Sequence, residues 1–335
     1  MKTVPAIALA SCAIAALAAI GAAKAQDLAC QARVQIDADG AVPAPRTRVA
    51  NYRPVFEQCH SGAGATRLAI RRFSVDGSSL MLTVDSSSLA TSLEHAQCWS
   101  CADTDDAAQK DTRFMRAAAA PSQHAVSSVK EPSVVMNAGL SHGQGEGSFI
   151  TADLCPSRRP LDRAFVEKLE TLGPRTPIAL SISGLWLVHH WADFAWLRQK
   201  SRAGLIDIAW VNHSYHHPYV PGRPPGDNYL LTPGVDMQAE ILETEQLLIA
   251  NGETPSVFFR FPDLASNEAL TEIVRRDHLV TLGADGWLVF APPLRPGAIL
   301  LVHANGNEPE GLRLFSKFLD KDRLPRPFRP IGEAP

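Results

Sequence analysis

Apolar and polar positions follow two different rhythms along the chain, and the change falls near residue 145. Before it, the segment from Leu68 to Val75 predicts a β-strand, Asp76-Gly77 predicts a turn, and Leu80 to Val84 predicts the returning strand. The region 26–145 is therefore expected to be β-rich. Its C-terminal end is rich in Ala, Ser and Gly, which predicts a linker or surface loop.

From Phe149 onward, short apolar segments alternate with amphipathic ones. Leu161, Phe165 and Leu169 recur at a spacing of four, which predicts a helix over 160–172. Because the predicted strands are mostly apolar, the pattern indicates a parallel sheet covered by helices. Strands are predicted at 149–152, 177–183, 205–211, 256–259, 279–283 and 298–302, and further helices at 191–202, 237–249, 267–276 and 311–319.

Composition narrows the class of protein. The chain has 335 residues, of which 45% are hydrophobic and 20% charged, as in globular rather than disordered chains. Lys plus Arg total 32 against 35 Asp plus Glu, and no basic block stands out, so no nucleic-acid partner is expected. After the first 25 positions no apolar run reaches ~18 residues, so no membrane span is expected there. The oligomeric state is not predicted.

The first 25 residues have the pattern of a secretory signal peptide. Lys2 precedes an Ala-rich apolar stretch, and small residues at Ala23 and Ala25 stand before the expected cleavage site. This predicts a periplasmic or secreted mature chain. An uncleaved anchor helix and lipidation at Cys12, within a Leu9-Ala10-Ser11-Cys12 box, are the alternatives.

Export changes how the cysteines are interpreted. In an oxidising compartment disulfides are the default, and an odd number of cysteines leaves at least one thiol unpaired. The Cys98-Trp99-Ser100-Cys101 segment favours a structural disulfide over redox chemistry, because it lacks an obvious strand-to-helix context. The disulfide partners are not predicted. The five cysteines beyond the leader are Cys30, Cys59, Cys98, Cys101 and Cys155.

Polar side chains follow almost every predicted strand of the C-terminal region. In parallel α/β folds, chemistry takes place at the carboxyl ends of the strands. Five such coincidences in one region predict a shared site on one face of a sheet or barrel. The residues are Asp153, the cluster from Asn212 to His217, Arg260, Asp285 with Trp287, and His303.

His213 and His217 are the clearest pair of candidate metal ligands in this set. A spacing of four places both imidazoles on one side of a helical turn, which suits a single metal ion. Pro218 disfavours a helix here, so a short turn is expected. His216 is a competing ligand, because 213 and 216 also face alike, and a surface cluster of three histidines is the structural alternative.

From Phe149 to the end, the chain resembles the polysaccharide deacetylases of the NodB-homology, carbohydrate-esterase type. The family's motifs occur in the family's order and cover about residues 150–335. The resemblance implies a distorted (β/α) barrel over 146–335, preceded by a smaller β-rich region. The matching segments are Thr151-Ala152-Asp153-Leu154 for Thr-Phe-Asp-Asp, His213-Ser214-Tyr215-His216-His217 for His-(Ser/Thr)-x-x-His, Arg260-Phe261-Pro262 for Arg-x-Pro, Asp285-Gly286-Trp287 for the fourth motif and Leu301-Val302-His303 for Leu-x-His.

The resemblance also implies an activity, which is removal of N-acetyl groups from a chitin-like or peptidoglycan-like glycan. His213 and His217 would hold a divalent metal, with zinc the favoured ion. Trp287 and Tyr215 would contact the acetylated glycan substrate.

Four residues are expected to carry the reaction. Asp153 would take a proton from the attacking water as general base, and Arg260 would hold that carboxylate. His303 would protonate the leaving nitrogen, because imidazole titrates near neutral pH. Asp285 would tune His303.

Three positions depart from the family's motifs. Leu154 stands where the family has a second acidic residue that binds the metal, so the third ligand is open between Asp153, Cys155 and water. Asp263 follows Arg-x-Pro where the family often has an aromatic residue, and a carboxylate there would oppose an oxyanion unless turned away. Gly286 directly precedes Trp287 in place of an acid. A degenerate relative that binds glycan without turnover is therefore the alternative function. No Gly-x-Ser-x-Gly elbow supports a serine hydrolase.

Overall fold

The structure is a computed structural model that describes residues 30, 34–36, 48–123, 125–127, 131 and 133–335. The predicted leader over 1–25 lies outside the described residues, so its cleavage and the lipidation alternative stay predictions. In the part of the chain that is described, no helix has the length and apolar character needed to cross a membrane.

An antiparallel sheet forms the N-terminal region, as predicted. Its strands are β1 (Val49–Ser61), β2 (Thr66–Val75), β3 (Ser78–Val84), β4 (Thr91–His95) and β5 (Trp99–Asp103). They are ordered β4-β3-β2-β1-β5 in the sheet. The predicted turn joins β2 to β3 through Asp76 (φ 50°) and Gly77 (φ 80°), the left-handed pair that a tight hairpin requires. Two short helices follow the sheet, α1 (Asp106–Gln109) and α2 (Arg113–Ala118).

A second sheet, entirely parallel, dominates the rest of the chain. Its strands are β8 (Ser148–Leu154), β9 (Thr176–Ile182), β10 (Ile206–Asn212), β11 (Pro255–Phe259), β13 (Val280–Thr281), β14 (Gly286–Trp287) and β15 (Ala298–His303). Short strands β6 (Val126–Ser127), β7 (Val135–Met136) and β12 (Ala265–Ser266) form a third, small sheet. The helices are α3 (Arg163–Glu170), α4 (Gly184–His189), α5 (Trp191–Arg202), α6 (Met237–Ala250), α7 (Glu268–Arg276) and α8 (Pro309–Asp320).

The seven parallel strands are ordered β13-β11-β10-β9-β8-β15-β14. Within the described residues the outer strands β13 and β14 do not pair with each other, so the sheet is an incomplete barrel. This confirms the predicted distorted (β/α) barrel. One consequence matters for the site: β15, the last long strand of the chain, lies beside β8, the first of the seven.

The segment before β8 is more than a linker or surface loop. Val134 and Leu140 are buried, Leu140 forms a bridge with Leu282, and β7 pairs with β12. Apolar side chains therefore hold this segment against the barrel, although it is rich in Ala, Ser and Gly. The domain boundary at 145/146 itself stays a prediction.

The cysteines of the N-terminal sheet form structural disulfides, but with distant partners. Cys98 is bonded to Cys30, and Cys101 is bonded to Cys59, its cross-strand partner between β1 and β5. Cys155 is buried and is the free thiol among the described residues.

The N-terminal sheet shares a hydrophobic core with the barrel. One cluster contains Ile70 and Leu82 from the N-terminal sheet together with Phe258 and Val280 from the barrel. A buried ion pair crosses the same boundary. Nε and Nη2 of Arg71 donate to the two carboxylate oxygens of Glu245, on α6, over 2.7 and 3.0 Å.

This ion pair is further supported by its neighbours. The hydroxyl of Tyr52 donates to Glu245, and Nη1 of Arg71 donates to the carbonyl oxygens of Ile70 and Asp277. Both charged side chains are fully buried, so each depends on such partners for compensation.

Arg71→Met is expected to lower the free energy of unfolding by about 3–5 kcal/mol, because it leaves the carboxylate of Glu245 buried without its counter-charge. Equilibrium denaturation in urea measures the change. The control is the double variant R71M/E245M, which removes both charges and should recover most of the lost stability. A single variant as stable as the wild type would contradict this role of the ion pair.

Candidate active site

The first and fifth motifs meet because their strands are neighbours. β8 and β15 pair in parallel, with Asp153 directly opposite His303. Residues opposite each other on adjacent parallel strands present their side chains on the same face of the sheet. The carboxylate and the imidazole therefore stand side by side at the carboxyl ends of these strands, as expected for a shared site.

Arg260, which follows β11, fixes the carboxylate of Asp153. It is fully buried, and its Nη1 donates to Oδ1 of Asp153 over 2.8 Å and to Oγ1 of Thr151 over 2.7 Å. Nε and Nη2 donate to the carbonyl oxygens of Leu282 and Gly283. Burial would raise the pKa of Asp153, but Arg260, together with nearby imidazoles, lowers it to about 2. The group is thus a carboxylate at neutral pH.

In its neutral form, His213 presents a lone pair to the site, although nearby Asp153 and Cys155 raise its pKa against the effect of burial. Its Nδ1 lies 2.8 Å from the carbonyl oxygen of Arg260, which can only accept, so Nδ1 carries the proton. In the neutral imidazole Nε2 is then the free acceptor. This atom lies 3.5 Å from Sγ of Cys155 and 3.7 Å from Oδ2 of Asp153.

His217, rather than His216, joins His213. The segment is a non-helical turn, as Pro218 predicted, in which Ser214 (φ 65°) and His217 (φ 47°) adopt the left-handed conformation. The rings of His213 and His217 lie 4.8 Å apart, and Nε2 of His217 is buried without a hydrogen-bond partner among the described residues. The side chain of His216 is 57% exposed and its Nδ1 contacts Glu240 at 2.7 Å. The surface-cluster alternative therefore fails for His213 and His217.

Cys155 takes the position beside Asp153 that Leu154 cannot fill. β8 ends at Leu154, and the thiol of the next residue, Cys155, lies with Asp153 near Nε2 of His213, at 3.5 and 3.7 Å. Leu154 is fully buried in the core between sheet and helices. Burial would raise the pKa of the Cys155 thiol, but the adjacent imidazoles of His217 and His213 lower it well below its usual value.

Three donor atoms could hold a metal ion at this point. They belong to Cys155, His213 and His217, all buried, and lie within 4.8 Å of one another. One sulfur and two imidazole nitrogens are a donor set typical of zinc and similar ions. The unpartnered Nε2 of His217 is the observation that favours an ion here, because buried polar atoms normally have a partner.

His303 is oriented by Glu308, and not by Asp285 as predicted. Its Nδ1 lies 3.2 Å from Oε2 of Glu308, which also accepts from Nε1 of Trp287 over 3.0 Å. The carboxylate of Asp285 instead forms a hydrogen bond with Nδ1 of His142 and accepts one from the backbone N–H of Ile299. Ile299 is four residues before His303 on β15, or roughly 13 Å along an extended strand. Asp285 therefore contacts the start of β15, far from His303 at its end.

The surroundings of His303 favour the protonated form of its imidazole. Burial would lower its pKa, but contacts with Cys155 and Glu308 raise it well above its usual value. The ring of Trp287 lies 5.9 Å from that of His303. The contact of Trp287 with substrate stays a prediction.

The aromatic residue beside the turn that carries His213 and His217 is Tyr229. Its ring is 6.0 Å from that of His217 and stacks on the exposed Tyr219. Tyr215, predicted to contact substrate, packs its ring closely against Gly184 and against His216. Its contact with substrate stays a prediction.

Asp263, which departs from the family pattern, also faces the site. Burial raises its pKa, while a hydrogen bond with Tyr229 and the imidazoles of His217 and His303 oppose that rise. Both Asp263 (φ 54°) and the next residue, Leu264, have left-handed backbone conformations.

No sequence signal identified Tyr229 or Glu308, since neither lies in a recognisable motif.

The chain matches no protein-family model. In fold it is similar to a family 4 carbohydrate esterase from Bacillus anthracis, at 15% identity over 58% of this chain and 85% of that one, with a TM-score of 0.44. It is also similar to a family 4 carbohydrate esterase from Streptomyces lividans in complex with acetate, at 20% identity over 57% and 97%, with a TM-score of 0.39. A CE4 family pseudoenzyme from Bacillus anthracis is similar at 15% identity over 54% and 61%, with a TM-score of 0.36.

These neighbours are of the class that the motifs resemble, but the likeness is one of fold at low identity. An activity for this chain must therefore rest on its own residues.

Proposed function

We propose that this chain is a metal-dependent amide hydrolase that removes N-acetyl groups from a sugar polymer or cell-envelope glycan. The observation that carries the proposal is the convergence of one fixed carboxylate, two buried imidazoles whose rings lie 4.8 Å apart and a third imidazole. Asp153, His213, His217 and His303 provide them. Each lies in a motif by which the chain resembles the polysaccharide deacetylases.

Amide hydrolysis needs an activated water, a polarised carbonyl and a proton for the leaving amine. A divalent ion on His213 and His217 supplies Lewis-acid chemistry when bound. Asp153 accepts the proton of the attacking water. Arg260 keeps this carboxylate ionised and in place, because its Nη1 donates to Oδ1 and leaves Oδ2 facing His213.

His303 is the general acid of the proposed reaction. Its proton goes to the leaving nitrogen, and its position across from Asp153 puts acid and base on adjacent strands. Glu308 is a positioning residue, since its contact with Nδ1 fixes the plane of the imidazole.

Aromatic rings on two sides of the site suit a sugar substrate. Tyr229 with Tyr219 flanks His217, and Trp287 with the exposed Phe290 flanks His303. They offer flat apolar faces next to the polar centre, as aromatic residues with a polar tip do. The proposed partner is therefore an acetylated glycan.

The two disulfides of the N-terminal sheet support export to an oxidising compartment. With the predicted signal peptide, we place the mature chain in the periplasm or outside the cell.

Zinc-loaded protein is expected to release acetate from N-acetylated chitin oligosaccharides or peptidoglycan, measured by a coupled acetate assay. D153N and H303A should each lower kcat by about 10²-fold or more, because each removes one proton-transfer group. A chelator should abolish turnover, and added zinc should restore it. The matched control is H216A, which changes the neighbouring imidazole that points to Glu240 and should retain activity. Full activity of D153N would contradict the assigned base.

The second candidate is a glycan-binding protein without turnover. It is favoured by Leu154, a buried side chain at the position of the family's second acidic residue. Glycan binding that a chelator does not change, with no acetate released from any acetylated substrate tested, would establish it.

Glu308→Gln is expected to lower kcat about tenfold, or about 1.4 kcal/mol of transition-state stabilisation, with little change in KM. The reason is that the imidazole of His303 loses its fixed orientation. Glu308→Asp should recover part of kcat. The control, W287F, keeps Glu308 but removes the indole N–H that donates to it, together with part of the aromatic surface, and should affect KM more than kcat. An E308Q variant with wild-type kcat would show that the contact is merely structural.

A further inference from the structure

Directly after β8, the thiol of Cys155 lies at the proposed metal centre, close to the place where the deacetylase motif has an acidic side chain. Leu154 packs into the core, so the side chain that enters the site next to Asp153 is that of Cys155. It is only 7% exposed. A polar sulfur is thus held among buried groups without the disulfide partner that Cys30, Cys59, Cys98 and Cys101 have.

The spacing of the donor atoms fits ligands of one ion. Sγ of Cys155 lies 3.5 Å from Nε2 of His213. At the usual Zn–S and Zn–N bond lengths, a sulfur and a nitrogen on tetrahedral zinc are also roughly 3.5 Å apart. The third donor atom is a ring nitrogen of His217, which lies within 4.8 Å of the other two. Nε2 of this residue is buried and lacks a hydrogen-bond partner among the described residues.

Outer hydrogen bonds already orient these ligands. Nδ2 of the fully buried Asn305 donates to the carbonyl oxygen of Cys155 over 2.8 Å. The carbonyl oxygen of Arg260 accepts from Nδ1 of His213 and so keeps Nε2 free. Such partners are what fix metal ligands in a binding orientation.

We propose that Cys155, as a thiolate, is the third protein ligand of the ion held by His213 and His217. This rests on the metal site of the proposed function and deepens it. It leaves Asp153, whose Oδ1 is bound by Arg260, to act as base and not as ligand. It also commits the site to ions that accept thiolate, such as Zn²⁺ and Co²⁺, over Mg²⁺, Ca²⁺ and Mn²⁺.

Cobalt substitution of the full chain tests the ligand directly. Titration of chelator-treated protein with Co²⁺ is expected to produce a near-ultraviolet sulfur-to-cobalt charge-transfer band. The band should be absent in C155S and in C155D, although C155D should still bind cobalt through its carboxylate. H217A should weaken cobalt binding at least tenfold. The matched control, H216A, should keep both the band and the affinity.

Zinc X-ray absorption of the wild type needs no variant and so does not depend on how C155S folds. One sulfur at ~2.3 Å beside nitrogen or oxygen at ~2.0–2.1 Å is the expected first shell. A first shell of nitrogen and oxygen alone, or an unchanged cobalt band in folded C155S, would overturn the proposal. Chelator-resistant hydrolysis that iodoacetamide abolishes would also overturn it, by making Cys155 a nucleophile.

The two proposals can fail separately. Sulfur ligation in a protein that releases no acetate would refute the hydrolase and leave the ligand standing. Acetate release by a centre without sulfur would refute the ligand and leave the hydrolase.

Discussion

The geometry of the site depends on one buried side chain, that of Arg260. Two buried charges are costly unless each finds its partners, and here the guanidinium donates to Asp153, Thr151, Leu282 and Gly283. The carbonyl oxygen of the same residue accepts from His213. One residue therefore fixes both the carboxylate and the nearest imidazole, and it links β8, β10, β11 and the segment after β13.

Helix α6 connects this centre to the N-terminal sheet. Its Glu245 holds Arg71 of that sheet, and its Glu240, one turn earlier, accepts from the backbone N–H groups of Tyr215 and His216. The turn that presents His217 is thus anchored to a helix that is itself clamped by a buried ion pair. The N-terminal region stabilises the site through packing, although the residues described at the centre come from the barrel.

The sequence predicted what depends on local pattern. The pattern of apolar residues located most helices and long strands of the C-terminal region, and α5 begins and ends at the predicted residues 191 and 202. It did not predict β1, β4 or α4. Strand ends located Asp153 and His303, because a parallel sheet brings all carboxyl ends to one edge. Backbone conformation at Ser214 and His217 decides which imidazole enters the site, and residue spacing does not contain that information. Glu308 reaches His303 only because the chain turns back after β15.

The departure at Leu154 is explained by strand geometry together with charge. Leu154, the last residue of β8, packs in the core, and Cys155, directly after the strand, brings a donor atom to the site beside Asp153. In the proposed centre a thiolate contributes the same single negative charge as a carboxylate would. The ligand set thus keeps its net charge, while its softness changes and with it the choice of ion. In the proposed centre, the first motif lacks its second acidic residue, but Cys155 supplies a negatively charged ligand at the same end of β8.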